Sequence, residues 1–115
     1  MRRGEIRVVE FDSATGAEVD TRRPAVIVSN DAANTAAQGL GRGVVTVVPV
    51  TSSIAMVYPF QVLLPASATG LTRDSKAQAE QVRSVAVERI GPMVGTLDPG
   101  LTEELDEALR LHLAL

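Results

Sequence analysis

The chain has 115 residues, of which 45% are hydrophobic and 22% charged, the composition of one ordinary globular domain. It has no cysteine and one histidine, which excludes disulfides, thiolate catalysis and multi-histidine metal centres. Its longest apolar run, residues 44–50, is far shorter than the ~20 residues of a membrane span, and no signal peptide is recognisable. We therefore expect one soluble, cytoplasmic domain over residues 1–115, without a metal.

The formal charge of −3 argues at first against nucleic-acid binding, because phosphate contacts require Lys or Arg. Residues 98–115, however, carry five acidic side chains against Arg110 alone, so the balance of residues 1–97 is +1. All the cationic side chains except Lys76 are arginines, whose forked guanidinium matches a phosphate. The total charge therefore does not exclude a phosphate-containing ligand.

The first third of the chain predicts two strands, a long loop and a short helix. Residues 5–11 mix β-branched and charged side chains at a period of about two, which is typical of a half-exposed strand. Residues 12–22 are polar and lack a periodic apolar face, which predicts a loop. The apolar run at 24–28 predicts a buried strand, and the residues after it can cap a short helix at 32–37.

Three glycines, at positions 39, 41 and 43, are interpreted as chain breakers before the strongly β-like residues 44–50. They do not predict a phosphate loop, since no Lys-Ser/Thr pair follows and a strand comes next. We predict that residues 60–64 form a partner strand to 44–50. Three further segments are predicted in chain order: a strand at 75–84, a helical turn at 85–90 and a closing strand at 93–97.

The end of the chain predicts a helix. Asp98 can cap it, Pro99 suits the first helical position, and Arg110 lies near the end, where a cation is favoured. The expected apolar face consists of Leu101, Leu105, Ala108, Leu109 and His112, widened by Leu111 and Leu115. Five to seven short strands and one terminal helix indicate an α+β, mostly β fold, a small barrel.

The residues with chemical potential lie around the long loop and a strand end. Arg23 stands at the junction of the loop and a buried strand, directly before Pro24, where the backbone is rigid. A structural interpretation is an ion pair between Arg23 and either Glu18 or Asp20. Thr51 and Ser52 form a hydroxyl pair at the end of the 44–50 strand, which is also what an ordinary strand-ending turn contains.

These residues belong to a series of motifs that resembles the MazF/PemK family of toxin endoribonucleases, which belong to type II toxin–antitoxin systems. The match spans nearly the whole chain, with its elements in family order and at family spacing. It consists of RRGEI, G-x-E-x-x-x-x-R-P-A-V-I-V-S-N-D, V-V-P-V-T-S, Y-P-F-Q-V, E-Q-V-R-S-V and the terminal helix.

The resemblance implies an SH3-like small barrel of the MazF/CcdB type with a C-terminal helix, and a homodimer. It also implies metal-independent, sequence-specific cleavage of single-stranded RNA (mRNA, rRNA or tRNA) without a cofactor. A MazE-like antitoxin is the implied partner, with its C-terminal segment in the RNA groove. Neither a membrane nor, without the antitoxin, direct DNA binding is expected.

Matching the family's motifs residue by residue gives the expected site. The catalytic positions fall on Arg23, Thr51 and Glu18, and the RNA-binding positions on Glu80, Gln81 and Ser52. The chain departs from the family at Arg7, where relatives usually have an aromatic residue. It departs also at Ala17, Arg22 and Gln78, where some relatives have histidine or a cation.

The chemistry needs only side chains that the sequence contains. RNA is cut when its 2′-hydroxyl is deprotonated and attacks the adjacent phosphorus, which requires a base, positive charge and a protonated leaving oxygen. Glu18 or Glu80 can be the base, Arg23 can stabilise the charge, and Thr51 can hydrogen-bond a phosphate oxygen. The alternative function is a non-catalytic, CcdB-like toxin that binds and poisons a protein target.

Overall fold

The computed structural model describes residues 1–11 and 22–115. The loop predicted at 12–22 therefore lies outside the described residues, except for Arg22, which is the first residue of a strand. Glu18 and Ala17 also lie outside them. In the described ranges no helix is long and apolar enough to cross a membrane.

The described chain forms seven strands, all paired antiparallel. The strands are β1 (Glu5–Glu10), β2 (Arg22–Ile27), β3 (Val44–Thr51), β4 (Gln61–Leu64), β5 (Ser75–Gln78), β6 (Arg83–Ala86) and β7 (Ile90–Thr96). Their order in space is β4-β5-β3-β2-β1-β7, and β6 pairs with β3. The predicted mostly β fold with a terminal helix is confirmed.

Strand β3 is the central strand because it has partners on both sides and changes one of them. Its first half pairs with β6, from Val44 to Val47, and its end pairs with β5 at Val50 and Thr51. On the other side it pairs with β2. A strand that passes from one partner to another makes a corner, which allows a small sheet to close around a core.

Both faces of the sheet are largely buried along Ala25–Ile27 of β2 and Val45–Val50 of β3, which explains their continuous apolar runs. Alternate residues enter two different clusters, because successive side chains point to opposite faces. Val26 and Val48 belong to the cluster under the terminal helix, whereas Ile27 and Val47 belong to the cluster with β6 and the first helix.

The described residues form three α-helices: α1 (Asp31–Leu40) between β2 and β3, α2 (Ala66–Thr69) between β4 and β5, and α3 (Pro99–Leu113) after β7. Asn30 caps α1 by accepting the N–H of Ala33 at 2.8 Å, and Gly41 ends it in the left-handed conformation at φ 65°. Helix α1 is thus longer than the predicted 32–37. Gly39 lies inside it and does not break the chain, since the cap and Gly41 determine its ends.

The terminal helix begins as predicted, with Asp98 accepting the N–H of Leu101 at 2.8 Å and Pro99 at the first position. Leu101, Leu105 and Ala108 are buried against β4 and the 3₁₀ turn Ala79–Gln81, with Leu109 partly buried beside them. The prediction of a wider apolar face is wrong, because Leu111, His112 and Leu115 are exposed. The last turns of α3 do not pack on the sheet.

Two strand predictions and one helix prediction in the second half of the chain require correction. The 60–64 segment is strand β4, but it pairs with β5 and not with β3. The single strand predicted at 75–84 is two strands, β5 and β6, separated by the turn Ala79–Gln81. The helical turn predicted at 85–90 is confined to the 3₁₀ turn Val87–Arg89, because Val85 and Ala86 belong to β6.

Replacing Leu105 by alanine tests the packing of α3. Leu105 is 2% exposed, so Leu105→Ala should lower the free energy of unfolding by about 2–5 kcal/mol through lost burial and a cavity. Leu111→Ala is the matched control on the same helix, and because Leu111 is 58% exposed it should change stability by less than about 0.5 kcal/mol. Urea titrations measure both; equal effects would contradict the assigned face of α3.

Candidate functional site

The site lies where β2 and β3 separate. Their pairing ends at Ala25 opposite Pro49. Continuing the same antiparallel register by two residues brings Arg23 opposite Thr51, and both side chains line the same open clefts. The sheet therefore brings together two of the predicted catalytic residues that lie far apart in the sequence.

Two clefts share Arg23 and Thr51, and we call them together the groove. One, of about 400 Å³, is also lined by Ser52, Thr72 and Arg73. The other, of about 380 Å³, is lined in addition by Phe11, Gln78, Gln81 and Arg83. Ser52 and Gln81, which were predicted to bind RNA, thus lie in the groove.

Arg23 is held by its backbone and by two side-chain contacts. The following Pro24 restricts it to an extended conformation within β2. Its Nη2 donates to Oε1 of Gln78 at 3.1 Å, and its guanidinium carbon lies 5.8 Å from the centre of the Phe11 ring. A guanidinium has five N–H donors, so these contacts leave it able to bind a phosphate in the groove.

Arg83 shares the same aromatic ring and was not predicted as a site residue. Its guanidinium carbon lies 5.1 Å from the centre of the Phe11 ring. It is exposed on β6 opposite Val47, at the corner where β3 changes partner. The signal that could have identified it is its position two residues after Gln81 in the E-Q-V-R-S-V motif.

The groove is positively charged although the chain is acidic. Its described lining contains the arginines at positions 23, 73 and 83 and no carboxylate. A cleft lined by one sign of charge concentrates the field and attracts the opposite ion. The arrangement of the arginines, and not the formal charge of −3, therefore determines what this surface attracts.

The hydroxyl of Thr51 is suited to donating a hydrogen bond. Its Oγ1 accepts the backbone N–H of Ser53 at 3.2 Å. A hydroxyl that accepts one bond can still donate its own proton. Thr51 can therefore offer that proton to a phosphate oxygen lying next to Arg23.

Glu80 does not line the groove. Its Oε2 accepts from Nε2 of Gln61 at 2.6 Å, and its Oε1 is buried without a hydrogen-bond partner among the described residues. Glu80 and Gln81 are neighbours in one 3₁₀ turn, yet Gln81 is exposed in the groove and Glu80 is directed into the protein. The predicted RNA contact of Glu80 remains a prediction.

The side chain of Arg7, which stands where relatives usually have an aromatic residue, is bound to groups outside the groove. Its Nη2 lies 2.8 Å from Oε1 of Glu5, and its Nη1 donates to the carbonyl of Gly91 at 3.1 Å. Both members of the ion pair are largely buried. Arg7 thus connects β1 to β7 and does not reach the groove.

An arginine-lined groove on a small antiparallel β fold is the electrostatic footprint expected of a protein that binds nucleic acid. Residues 2–113 match the family described as PemK-like, MazF-like toxin of type II toxin–antitoxin systems. The chain belongs to this family, as the sequence motifs predicted.

Relatives and solved structures agree with that assignment. The chain is 61% identical to Endoribonuclease MazF9 of Mycobacterium tuberculosis over 115 residues, covering 100% of this chain and 98% of the relative. It is 28% identical to Endoribonuclease EndoA of Bacillus subtilis over 116 residues, covering 100% and 96%. The crystal structure of a MazE–MazF complex from Deinococcus radiodurans matches with a TM-score of 0.73 and 28% identity, covering 100% and 97%.

The chain is therefore a MazF-type toxin endoribonuclease. The predicted enzyme class is confirmed by a full-length relative at this level of identity. The alternative of a non-catalytic, CcdB-like toxin is not favoured.

Replacing Arg83 by alanine tests the electrostatics of the groove. Arg83→Ala should weaken binding of unrelated RNA sequences to a similar degree, and should reduce the slope of log K against log salt by about 0.7. Fluorescence anisotropy with single-stranded RNA carrying 2′-O-methyl groups, which resists cleavage, measures both quantities. Arg42→Ala is the matched control, since Arg42 precedes β3 at the end away from Thr51; an equal slope in both variants would contradict a phosphate contact of Arg83.

Proposed function

We propose that this chain cleaves single-stranded RNA at short sequence motifs without a metal or cofactor, by attack of a ribose 2′-hydroxyl. Residues 1–115 act as one toxin domain in the cytoplasm. The observation that carries the proposal is that Arg23 and Thr51 line the same groove, whose described lining contains three arginines and no carboxylate.

The reaction divides into three tasks. A base takes the proton of the 2′-hydroxyl, the 2′-oxygen bonds to phosphorus, and the bond from phosphorus to the 5′-oxygen breaks as that oxygen takes a proton from solvent water. The products are a 2′,3′-cyclic phosphate and a 5′-hydroxyl. Arg23 is assigned to the charge that develops on the phosphate oxygens, since a guanidinium keeps its proton. The Thr51 hydroxyl donates to one of the same oxygens.

Glu18 is the base that we favour over Glu80. The carboxylate of Glu80 is bound to Gln61 and is directed away from the groove. Glu18 is the remaining acid that matches a family site position, in the polar segment that leads into Arg23. A base must come within hydrogen-bond reach of the proton that it takes, which Glu80 does not satisfy in this conformation.

An antitoxin and a second copy of the chain complete the proposal. The Deinococcus radiodurans MazF structure contains MazE, and we propose a MazE-like partner that covers the arginine-lined groove with an acidic C-terminal segment.

We also propose a homodimer. Several large apolar side chains are exposed on the single chain, as expected of a protein that buries further surface by association: Leu40, Val44, Met93 and Val94 among them.

Removing the guanidinium of Arg23 should abolish most of the activity. Arg23→Ala is expected to lower kcat/KM about 10²–10³-fold, because one donor to the developing oxyanion is lost. Cleavage of a fluorogenic single-stranded RNA in EDTA measures the effect, and Arg42→Ala should retain the parent rate.

A single 2′-deoxy substitution at the cleaved nucleotide should stop cleavage in the same assay. Products from the unmodified RNA should accept a labelled phosphate at the 5′ end without prior phosphatase treatment. A requirement for added metal, or equal cleavage of DNA of the same sequence, would refute the 2′-hydroxyl mechanism.

The two candidate bases should respond differently to conversion into amides. Glu18→Gln is expected to lower kcat about 10²–10⁴-fold, because general-base assistance is lost. Glu80→Gln preserves an acceptor for Gln61 and is expected to leave kcat within about tenfold of the parent. Single-turnover cleavage rates measure both variants; the reverse order would assign the base to Glu80.

A further inference from the structure

The one lysine of the chain, Lys76, is buried beside the groove and has no role in the chemistry described above. It lies on β5, opposite Thr51 of β3, and is 8% exposed. Its Nζ donates to the carbonyl of Met56 at 2.6 Å and lies 6.0 Å from the centre of the Tyr58 ring. Within residues 1–11 and 22–115 no carboxylate forms an ion pair with it.

The burial of this ammonium group ties one loop to the sheet. A buried charge is strongly unfavourable unless it is hydrogen-bonded, so the Met56 carbonyl cannot move away without leaving Lys76 unpaired. Met56 belongs to residues 52–60, which connect β3 to β4 and which we call the β3–β4 segment. Lys76 is thus an anchor for the middle of that segment.

A second anchor holds the same segment two residues further on. The backbone N–H of Tyr58 donates to Oε1 of Gln61 at 3.1 Å, and Nε2 of Gln61 donates to Oε2 of Glu80 at 2.6 Å. Gln61 is 8% exposed, so this contact is also protected from water. Glu80, directed into the protein, therefore holds the Gln61 side chain, which in turn holds the backbone of Tyr58.

The anchored segment presents apolar side chains to solvent next to the groove. Met56, Val57 and Tyr58 are 57%, 39% and 48% exposed. Tyr58 is stacked on Phe60, with ring centres 5.4 Å apart and planes inclined by 7°. The segment begins at Ser52, which lines the groove. Unpaired bases of single-stranded RNA stack on exposed aromatic rings of this kind.

We propose that Lys76 is a positioning residue that fixes Met56, Val57 and Tyr58 as a base-stacking surface beside the groove, and thereby sets RNA affinity and the choice of cleavage site. The inference rests on the proposed function for its substrate. The proposal assigns Lys76 no phosphate contact, because its Nζ donates to the Met56 carbonyl and the residue is 8% exposed.

The test is Lys76→Met, which keeps an unbranched apolar stem and removes the ammonium group. We expect KM for single-stranded RNA to rise about tenfold, as for the loss of a hydrogen bond to a charged group, with kcat within about twofold of the parent. The set of cleavage positions on a long RNA should broaden. The salt dependence of binding should keep its slope, which separates Lys76 from a phosphate-binding cation.

Hydrogen exchange gives a readout that does not depend on RNA. The amides of the β3–β4 segment, that of Tyr58 above all, should exchange faster in Lys76→Met than in the parent protein. Lys76→Arg retains donors for the Met56 carbonyl and should restore KM toward the parent value. Arg42→Met is the matched control: it removes one cation in favour of methionine at the other end of β3, and should leave every readout unchanged.

Tyr58→Leu provides a second variant whose changed side chain is half exposed. It should raise KM and broaden the cleavage positions as Lys76→Met does, while leaving the thermal stability close to that of the parent. Unchanged exchange in Lys76→Met, faster exchange with an unchanged cleavage pattern, or a loss of kcat at constant KM would each overturn the inference. Failure of the parent protein to cut RNA would instead refute the proposed function, and the exchange data would still report on the anchor.

Discussion

The arrangement of the whole molecule depends on the hydrogen-bonding demands of β3. A buried strand must pair its N–H and C=O groups on both sides. Strand β3 does so with β2 on one side, and with β6 and then β5 on the other. The change of partner opens the corner in which the groove lies.

Because a slip of one residue would turn every side chain to the opposite face, the register that buries Val48 also places Thr51 opposite Arg23. Core packing and active-site geometry are therefore determined together.

The same corner separates charges of opposite sign. The three arginines of the groove lie on β2, on β6 and just before β5. The segment from Asp98 onward carries five acidic side chains against one arginine, and the buried side of its helix packs on β4. One of these acids, Asp106, accepts from Nη2 of Arg3 at 2.7 Å and helps to tie α3 to the start of the chain. The acidic helix does not line the groove, so the field at the groove remains positive. Net charge is a poor guide to function when the last 18 residues carry a balance of −4 and the rest of the chain carries +1.

The sequence is sufficient to predict the strands and helices that have strong local signals, and to recognise the family motifs. Strands β1 and β3 and the start of α3 follow from periodicity and caps. The strand that pairs with β4, and the division of residues 75–84 into two strands, could not be predicted in this way. Alternation along a strand carries no information about which neighbouring strand it pairs with. Arg23, Thr51, Ser52 and Gln81 were identified through motifs. Arg83 was missed because its contact with the ring that Arg23 also touches is made between strands, and the opposite directions of Glu80 and Gln81 arise from a 3₁₀ turn that the pattern did not reveal.

The groove and the β3–β4 segment are held by different kinds of interaction. For this reason the proposed catalytic residues and the proposed base-stacking residues can be changed independently. Arg23 and Thr51 lie on strands, where backbone ladders fix them together with the core. Met56 is held by a side-chain contact from Lys76, and Tyr58 by one from Gln61 together with a backbone hydrogen bond and its stacking on Phe60. A ladder of many bonds is disrupted only with the fold, whereas one side-chain contact can be changed alone. Substitutions at the anchors can therefore alter the β3–β4 segment while Arg23 and Thr51, the proposed catalytic residues, stay in place.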